Sequence, residues 1–481
     1  MSDLFRETGA ARIRQPSIIA ALLLFAVVAS AGIALKGLVF GVMLVVLPAG
    51  IFALIHIFRD SRAGLFYAFA FAFLANGIPR YAGDMVPFGL FVDAILLLGL
   101  VSLLLSRGKF RNWSPVKNDL VLMSLVWMGY TLVQLFNPEA VSFVAWFYAM
   151  RGVAFYQILL IPLGLMVVRD RSDLRLFLII WFGFSLLASL KGIQQIVIGT
   201  DPFETKWLDG GGGLTHRIQG RLRAFSFYSD AGVFGAAMGQ TALVAGLMAF
   251  GKLKSYLKWI LLMLAAICFA GMLYSGTRGA LAVPAAGGML YLFLSRNFKV
   301  FAVGMILGLA VFGILRFTFI GNTSYQIYRL RTAVRPALDA SFQVRLENQR
   351  RLKTYLADKP FGGGIGSAGN WGMRFSPNTF LAQTPTDSWY VRIWAEMGII
   401  GLSLHLFILF YLLARCSIIV WKLKDPELRN ILVALVSGIF GIMVASYGNG
   451  LYGQMPINVV ILMSYVLIYR APHWKPANVS S

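Results

Sequence analysis

Uninterrupted apolar runs constrain this chain more than any other feature. Ser17–Leu35, Phe88–Ser106 and Leu257–Tyr274 each carry at most one charged residue, and roughly 20 helical residues cross a hydrocarbon core about 30 Å thick. The runs are apolar on every face instead of alternating, which excludes barrel strands and specifies helices. Of 481 residues, 58% are hydrophobic and 13% charged, about half the charged share of an ordinary soluble domain. The sequence therefore describes an all-α, polytopic helical membrane protein. It reads as one transmembrane domain over residues 1–481, with a long, partly helical periplasmic loop at 318–390 inserted between spans.

Counting apolar runs gives about twelve to fourteen transmembrane helices, the lower number holding if Ala63–Ile78 or Leu451–Tyr469 is re-entrant. A formal net charge of +23 would direct a soluble chain toward nucleic acid, but here it follows topology, because Lys and Arg collect in cytoplasmic loops. Arg59 and Arg62, then Arg107, Lys109, Arg111 and Lys117, then Arg169, Arg171 and Arg175 fall on one side, and Lys252, Lys254 and Lys258 follow them. Arg296 and Lys299, then Lys422, Lys424 and Arg429, and finally Arg470 and Lys475 continue the series, alternating with short, nearly neutral connections. Both termini are accordingly cytoplasmic, and the alternate connections lie on the outer face. The polar segment Met1–Pro16 contains Arg6, Arg12 and Arg14 but no small-residue cleavage site, so Ser17–Leu35 reads as a retained span. Cys268 and Cys416 fall within spans and supply neither a disulfide framework nor a metal cluster.

Three outer segments depart from neutrality. Thr200–Phe227 contains the run Gly210–Gly213 and the basic cluster His216, Arg217, Arg221 and Arg223, while Ser275-Gly276-Thr277-Arg278-Gly279 is a tight turn between spans. The third, Thr318–Tyr390, holds nine Lys and Arg residues from Arg329 to Arg374 against Asp339, Glu347, Asp358 and Asp387. Within it, Val344–Ala357 has the pattern of a helix stopped by Pro360.

Guanidinium forks match the oxygens of a diphosphate that its lipid holds at the membrane surface. Arg278 is the sharpest candidate, because a charge in a short turn between apolar helices is costly unless paired or beside water; the alternative is snorkelling to headgroups. Arg223 ranks next, with Arg217 and Arg221 behind it, since basic loop clusters are commonly a solvated face. His216 is the one histidine in an outer segment, with an ordinary pKa that suits a general base. Arg151 lies inside Phe143–Val168, about two turns from the outer edge, and either faces an internal cavity or snorkels outward. Asp387, just ahead of a span, is a candidate general base and, with Ser388, a candidate helix cap. Glu396 follows Arg392 at the spacing of an intrahelical ion pair. No Walker A sequence, outer Asp-x-Asp pair, H-E-x-x-H or G-x-S-x-G occurs, so neither metal nor cofactor is expected.

Four stretches in this order resemble the O-antigen ligase and O-antigen polymerase superfamily. They are Arg223-Ala224-Phe225-Ser226, the turn Ser275 to Gly279, Asp358-Lys359-Pro360-Phe361-Gly362-Gly363-Gly364-Ile365-Gly366, and Trp389 to Leu402 with Ala395-Glu396-Met397-Gly398. The resemblance covers roughly Arg223 to Leu402. It implies a metal-independent membrane glycosyltransferase acting on undecaprenyl-diphosphate-linked oligosaccharide. Arg278 and Arg223 would hold the diphosphate, with Arg217, Arg221, Arg151, His216, Arg392 and Glu396 in the substrate site. Implied partners are the carrier-linked glycan, a glycan or lipid-linked acceptor, membrane lipids and polysaccharide-assembly proteins, and not nucleic acid.

Family ligases have a histidine and an asparagine ahead of the last motif, where this chain has Asp387 and Ser388. That departure favours an O-antigen or exopolysaccharide polymerase over a ligase that transfers the glycan to lipid A core. A flippase for lipid-linked sugar is the rival from another class, but its functional charges would lie at the membrane midplane. In the enzymatic reading an acceptor hydroxyl attacks the anomeric carbon, Asp387 takes its proton, and arginines stabilise the departing diphosphate.

Overall fold

The computed structural model describes residues 38–82, 88–106, 112–218, 220–296, 298–319 and 340–474, with Arg331 and a few single positions before residue 38. Most of the expected first span Ser17–Leu35, the N-terminal arginines, Arg107, Lys109, Arg111, Arg329, Arg335 and Lys475 lie outside the described residues. The chain divides into two compact units, Met1–Ala63 and Gly64–Ser481. In the first, α1 (Leu38–Arg59) is an apolar helix with Pro48 inside it.

In the second unit the helices follow the apolar runs. After α2 (Ser61–Leu74) and the single turn α3 (Pro79–Ala82) come α4 (Gly89–Leu105), α5 (Asp119–Val133), α6 (Phe143–Val167) and α7 (Arg171–Val197). Two short helices, α8 (Pro202–Trp207) and α9 (Gly213–His216), precede α10 (Ala231–Ala249), α11 (Ser255–Tyr274), α12 (Arg278–Leu294) and α13 (Phe298–Phe317). The long loop carries α14 (Ala340–Tyr355), α15 (Gly369–Phe375) and α16 (Phe380–Gln383). The chain then returns through α17 (Trp389–Lys422), α18 (Pro426–Ala445) and α19 (Ile457–Arg470).

Among the described residues, seven helices are long and apolar enough to cross a membrane, and six shorter apolar helices of 10–17 residues accompany them. The protein is thus all-α and multi-pass. The two regions read as spans or re-entrant segments become α2 and α19, each 14 residues, or about 21 Å at 1.5 Å per residue, short of a full hydrocarbon core.

Small residues decide which helices form the centre. With no hydrophobic drive between helices in lipid, close backbone approach supplies the packing energy. α10, with Gly232, Gly235 and Gly239 among its alanines, is buried on nearly every face and packs on α11 and α18. A methyl group at Gly235 would lie 2.2 Å from Ser275 Oγ, and one at Gly287 2.5 Å from the Ser437 carbonyl, where α12 meets α18. α19 is likewise apolar and buried all round and lies against α6. By contrast α11 and α17 expose Trp259, Met263, Phe407 and Phe410, the outward face that hydrocarbon accepts and water does not.

Two expectations about local structure change. Thr200–Phe227, read as a basic loop, folds into α8, a π-helical turn at Leu208–Gly212, α9 and a two-strand ladder that pairs Arg217 with Leu222 and Ile218 with Arg221. The helix expected at Val344–Ala357 begins earlier, at Ala340, and ends at Tyr355.

Candidate functional site

α17 is interrupted at Gly398, and the interruption explains why two of the sequence stretches occur together. Gly398 has φ +69°, and a Cβ there would fall 1.9 Å from the Pro360 carbonyl oxygen, so only glycine fits. Into this break enters the glycine turn of the long loop: the Gly363 amide donates to Ala395 O (2.9 Å) and the Ile400 amide to Pro360 O (3.3 Å). The Tyr130 hydroxyl donates to Met397 O at 2.8 Å, and Gln134 Nε2 and Asn137 Nδ2 each reach Phe361 O at 3.1 Å. Polar groups of α5 and the turn that follows it thus satisfy carbonyls that the broken helix and the glycine turn leave open. The turn in turn fixes α15 against the start of α6.

The loop after α2, the starts of α4, α6 and α17, and α15 line a cavity of about 440 Å³, with Asn76, Tyr148, Arg151, Trp371, Arg374, Trp389, Arg392 and Gln454 among its residues. Every bounding helix end is one that the basic-loop pattern assigns to the outer face.

Two of its arginines are backed by buried carboxylates. Arg151 Nε lies 2.5 Å from Asp93 Oδ2 and its Nη2 donates to the Tyr156 hydroxyl at 3.0 Å. Arg392 Nε lies 3.1 Å from Glu396 Oε1, and Glu396 has no solvent exposure. A carboxylate behind each guanidinium offsets the cost of placing charge at this depth and fixes the direction of its remaining N–H groups. Arg151 reaches inward because α6 passes through a π-helical turn at Arg151–Phe155, a feature common at functional sites. The carbonyls displaced there accept from Trp127 Nε1 (Val153 O, 2.8 Å) and Asn458 Nδ2 (Gly152 O, 3.1 Å). Arg374, the third arginine, is exposed, lies over the Phe375 ring at 5.4 Å, and has no ion pair among the described residues.

The remaining predicted residues gather elsewhere. Arg223 donates to Ser275 O (3.0 Å), Thr215 O (3.2 Å) and Thr277 Oγ1 (2.6 Å), so it clasps the turn that precedes Arg278. Arg278 opens α12 and is half-buried. Arg217 forms an exposed ion pair with Asp209 at 2.9 Å, and Arg221 is exposed in its strand. His216 is buried between Trp207 and Phe225, its Nδ1 within 2.8 Å of Gly212 O. Burial holds its pKa below the ordinary histidine value.

Asp387 is half exposed and faces Arg345 Nε at 3.1 Å; the cap of α17 is Ser388, whose hydroxyl accepts from the Val391 amide. The Asp387 and Arg278 segments meet at one place. Trp389 N donates to Ser446 O (3.0 Å), and Gly279 packs against Asn449 in the same connection after α18.

Sequence reasoning missed Asp93, Arg374, Trp371 and Arg80. A lone acid in the apolar run Phe88–Ser106 was a legible signal for Asp93. Arg80 sits over Trp207 and Phe225 at 4.5 and 4.6 Å, donates to the carbonyls of Ser226 and Tyr228, and burial lowers its pKa to about 10. Among the described residues no three His, Cys, Asp or Glu side chains come together.

A multi-pass helical membrane protein with an arginine-lined cavity at one end of its bundle is the class that fold and site define. Residues 261–406 match the family model described as O-antigen ligase. The matched segment, under a third of the chain, is thus similar to that family. The matched residues include Arg278, Trp371, Arg374, Asp387, Arg392 and Glu396, whereas Asp93, Tyr148, Arg151 and Arg223 precede them. No curated protein matches the chain.

Proposed function

We propose that the protein polymerises oligosaccharide repeat units carried on undecaprenyl diphosphate, at the periplasmic face of the bacterial inner membrane and without a metal. The observation that carries this reading is the convergence of Arg151, Arg374 and Arg392 on one cavity at the predicted outer ends of the helices. Guanidinium donors aimed at a leaving diphosphate stabilise the charge that develops as the glycosidic bond to it breaks. Glu396 and Asp93 act through the arginines they orient.

An acceptor sugar hydroxyl attacks the anomeric carbon, its proton passes to a carboxylate, and the diphosphate departs with the bonding pair. Asp387 is the proposed base. It is two residues from cavity-lining Trp389, so their Cα atoms are at most about 7.6 Å apart. Its partner Arg345 would have to yield to the acceptor. Arg223 braces the 275–279 turn that carries Arg278, and this turn and Trp389 touch the same connection after α18.

Purified protein in lipid nanodiscs, given a synthetic carrier-linked repeat unit, should yield products of increasing length. The double variant Arg392→Ala/Glu396→Gln, which leaves no buried unpaired acid, should lose about 100-fold or more in rate; chain growth at the parental rate from the folded variant would remove the proposed site. Asp387→Asn should lose most activity, and full activity would reduce Asp387 to an ion-pair partner.

The family match, described as O-antigen ligase, favours a second reading: transfer of the glycan to lipid A core. The carbohydrate profile of a deletion strain separates the two. Single repeat units on lipid A indicate a lost polymerase, and bare core with accumulated carrier-linked polymer indicates a lost ligase.

A further inference from the structure

The cavity carries a feature that its arginines do not explain. Tyr148 and Trp371 line it, their ring centroids 4.9 Å apart and their planes 19° from parallel. Phe375 extends the group, 5.8 Å from Tyr148 at 11° and 6.2 Å from Trp371 at 18°. Three rings from two separate segments, α6 and α15, therefore share one orientation beside three guanidinium groups. Tyr148 and Trp371 are only half-buried, so they are not core packing alone.

Aromatic faces are electron-rich, and the C–H groups on one face of a pyranose ring are polarised toward positive charge. Trp371 and Arg374 are three residues apart on α15, which puts their Cβ atoms on one side of the helix about 5–6 Å apart. From neighbouring stems an aromatic ring and a guanidinium both line the cavity, the pair of groups that a sugar and the phosphate esterified at its anomeric carbon require.

We propose that α15 is the glycan-recognition element: the sugar directly attached to the diphosphate lies on the open face of the Trp371–Tyr148 stack, while Arg374 contacts the diphosphate. This rests on the reading of the cavity as a site for lipid-linked glycan, and it deepens that reading by assigning the ring-binding face. Specificity for the first sugar then rests on a seven-residue helix of the long loop together with Tyr148 near the start of α6. Equatorial substituents leave a pyranose face flat, whereas axial groups lift it off an aromatic plane. The site therefore selects sugars with an unobstructed C–H face.

The test is a split between two ligands of the whole protein in nanodiscs. Steady-state KM is measured for the carrier-linked repeat unit, and the inhibition constant is measured for undecaprenyl diphosphate, which has no sugar. Trp371→Leu should raise KM about tenfold with the inhibition constant unchanged, and Trp371→Phe should recover most of the loss. Tyr148→Leu, on the other segment, should show the same split, and serves if Trp371→Leu does not fold. Equal weakening of both ligands, or an unchanged KM in both leucine variants, overturns the proposal. If the leucine variants are silent while Arg392→Ala/Glu396→Gln is inactive, only the aromatic assignment fails. If that arginine variant is fully active, the underlying function fails instead.

Discussion

Two groups of arginine at the same end of the bundle are employed in opposite ways. In the cavity, Arg151 and Arg392 each rest on a buried carboxylate, Asp93 or Glu396, and keep other N–H groups for the cavity. At the neighbouring turn, Arg223 directs three donors at Ser275, Thr215 and Thr277 and so holds the protein's own backbone in place. A guanidinium can bind ligand or brace a loop, and its partners show which. Carboxylate support gives a charge that is stable at depth and pre-aimed, whereas carbonyl support gives a rigid turn.

The comparison breaks most visibly at Asp93. Asp93→Ala leaves Arg151 charged and uncompensated and should cost about 3–5 kcal/mol of stability, read as a lower midpoint in heating followed by size-exclusion chromatography. Replacing both partners by apolar residues of similar volume should recover most of that midpoint, and no recovery would show that the pair itself is not the source.

Arg374→Ala should come next. Because Arg374 has no ion pair among the described residues, its removal should reduce turnover about 100-fold with an unchanged midpoint. A matched loss of stability and rate would place Arg374 with the bracing arginines.

Arg223→Lys should then cost about 1.5 kcal/mol, since an ammonium cannot serve three separated acceptors as the planar fork does. Activity should follow the population of folded turn, measured as faster hydrogen exchange of the Ser275 and Thr277 amides. A rate loss without that change would move Arg223 to the ligand-binding group.

The smallest effect is a pH dependence of the 200–229 segment. Burial lowers the His216 pKa, so the folded state favours the neutral ring. Its contribution is complete above the unfolded value of about 6.5 and is lost as pH falls below it. Proteolysis of this segment should therefore quicken at pH 5 relative to pH 7.5, and His216→Phe should flatten the difference.

Much of this protein was legible because the relevant forces are local. Apolar length specified membrane helices, and the four-residue spacing of Arg392 and Glu396 specified their ion pair, which forms at 3.1 Å. The cap before Trp389 was narrowed to Asp387 or Ser388, and a hydrogen bond on Ser388 decides it. His216 was read as a loop histidine because the aromatic rings that enclose it, Trp207 and Phe225, lie nine residues away on either side. Nothing in their spacing marks them as a cage.

The sequence by itself determined that the chain is helical and multi-pass, since both follow from transfer free energy summed along a short stretch. Tertiary structure alone decided which charges far apart in the sequence meet. Asp93 and Arg151 are separated by 58 residues, Tyr148 and Trp371 lie on different segments, and the glycine turn finds the break at Gly398 only when α17 and the loop pack together. Such meetings depend on small residues that let particular helices approach and on a π-turn that redirects one side chain. Neither is encoded in the charge pattern that made arginine conspicuous.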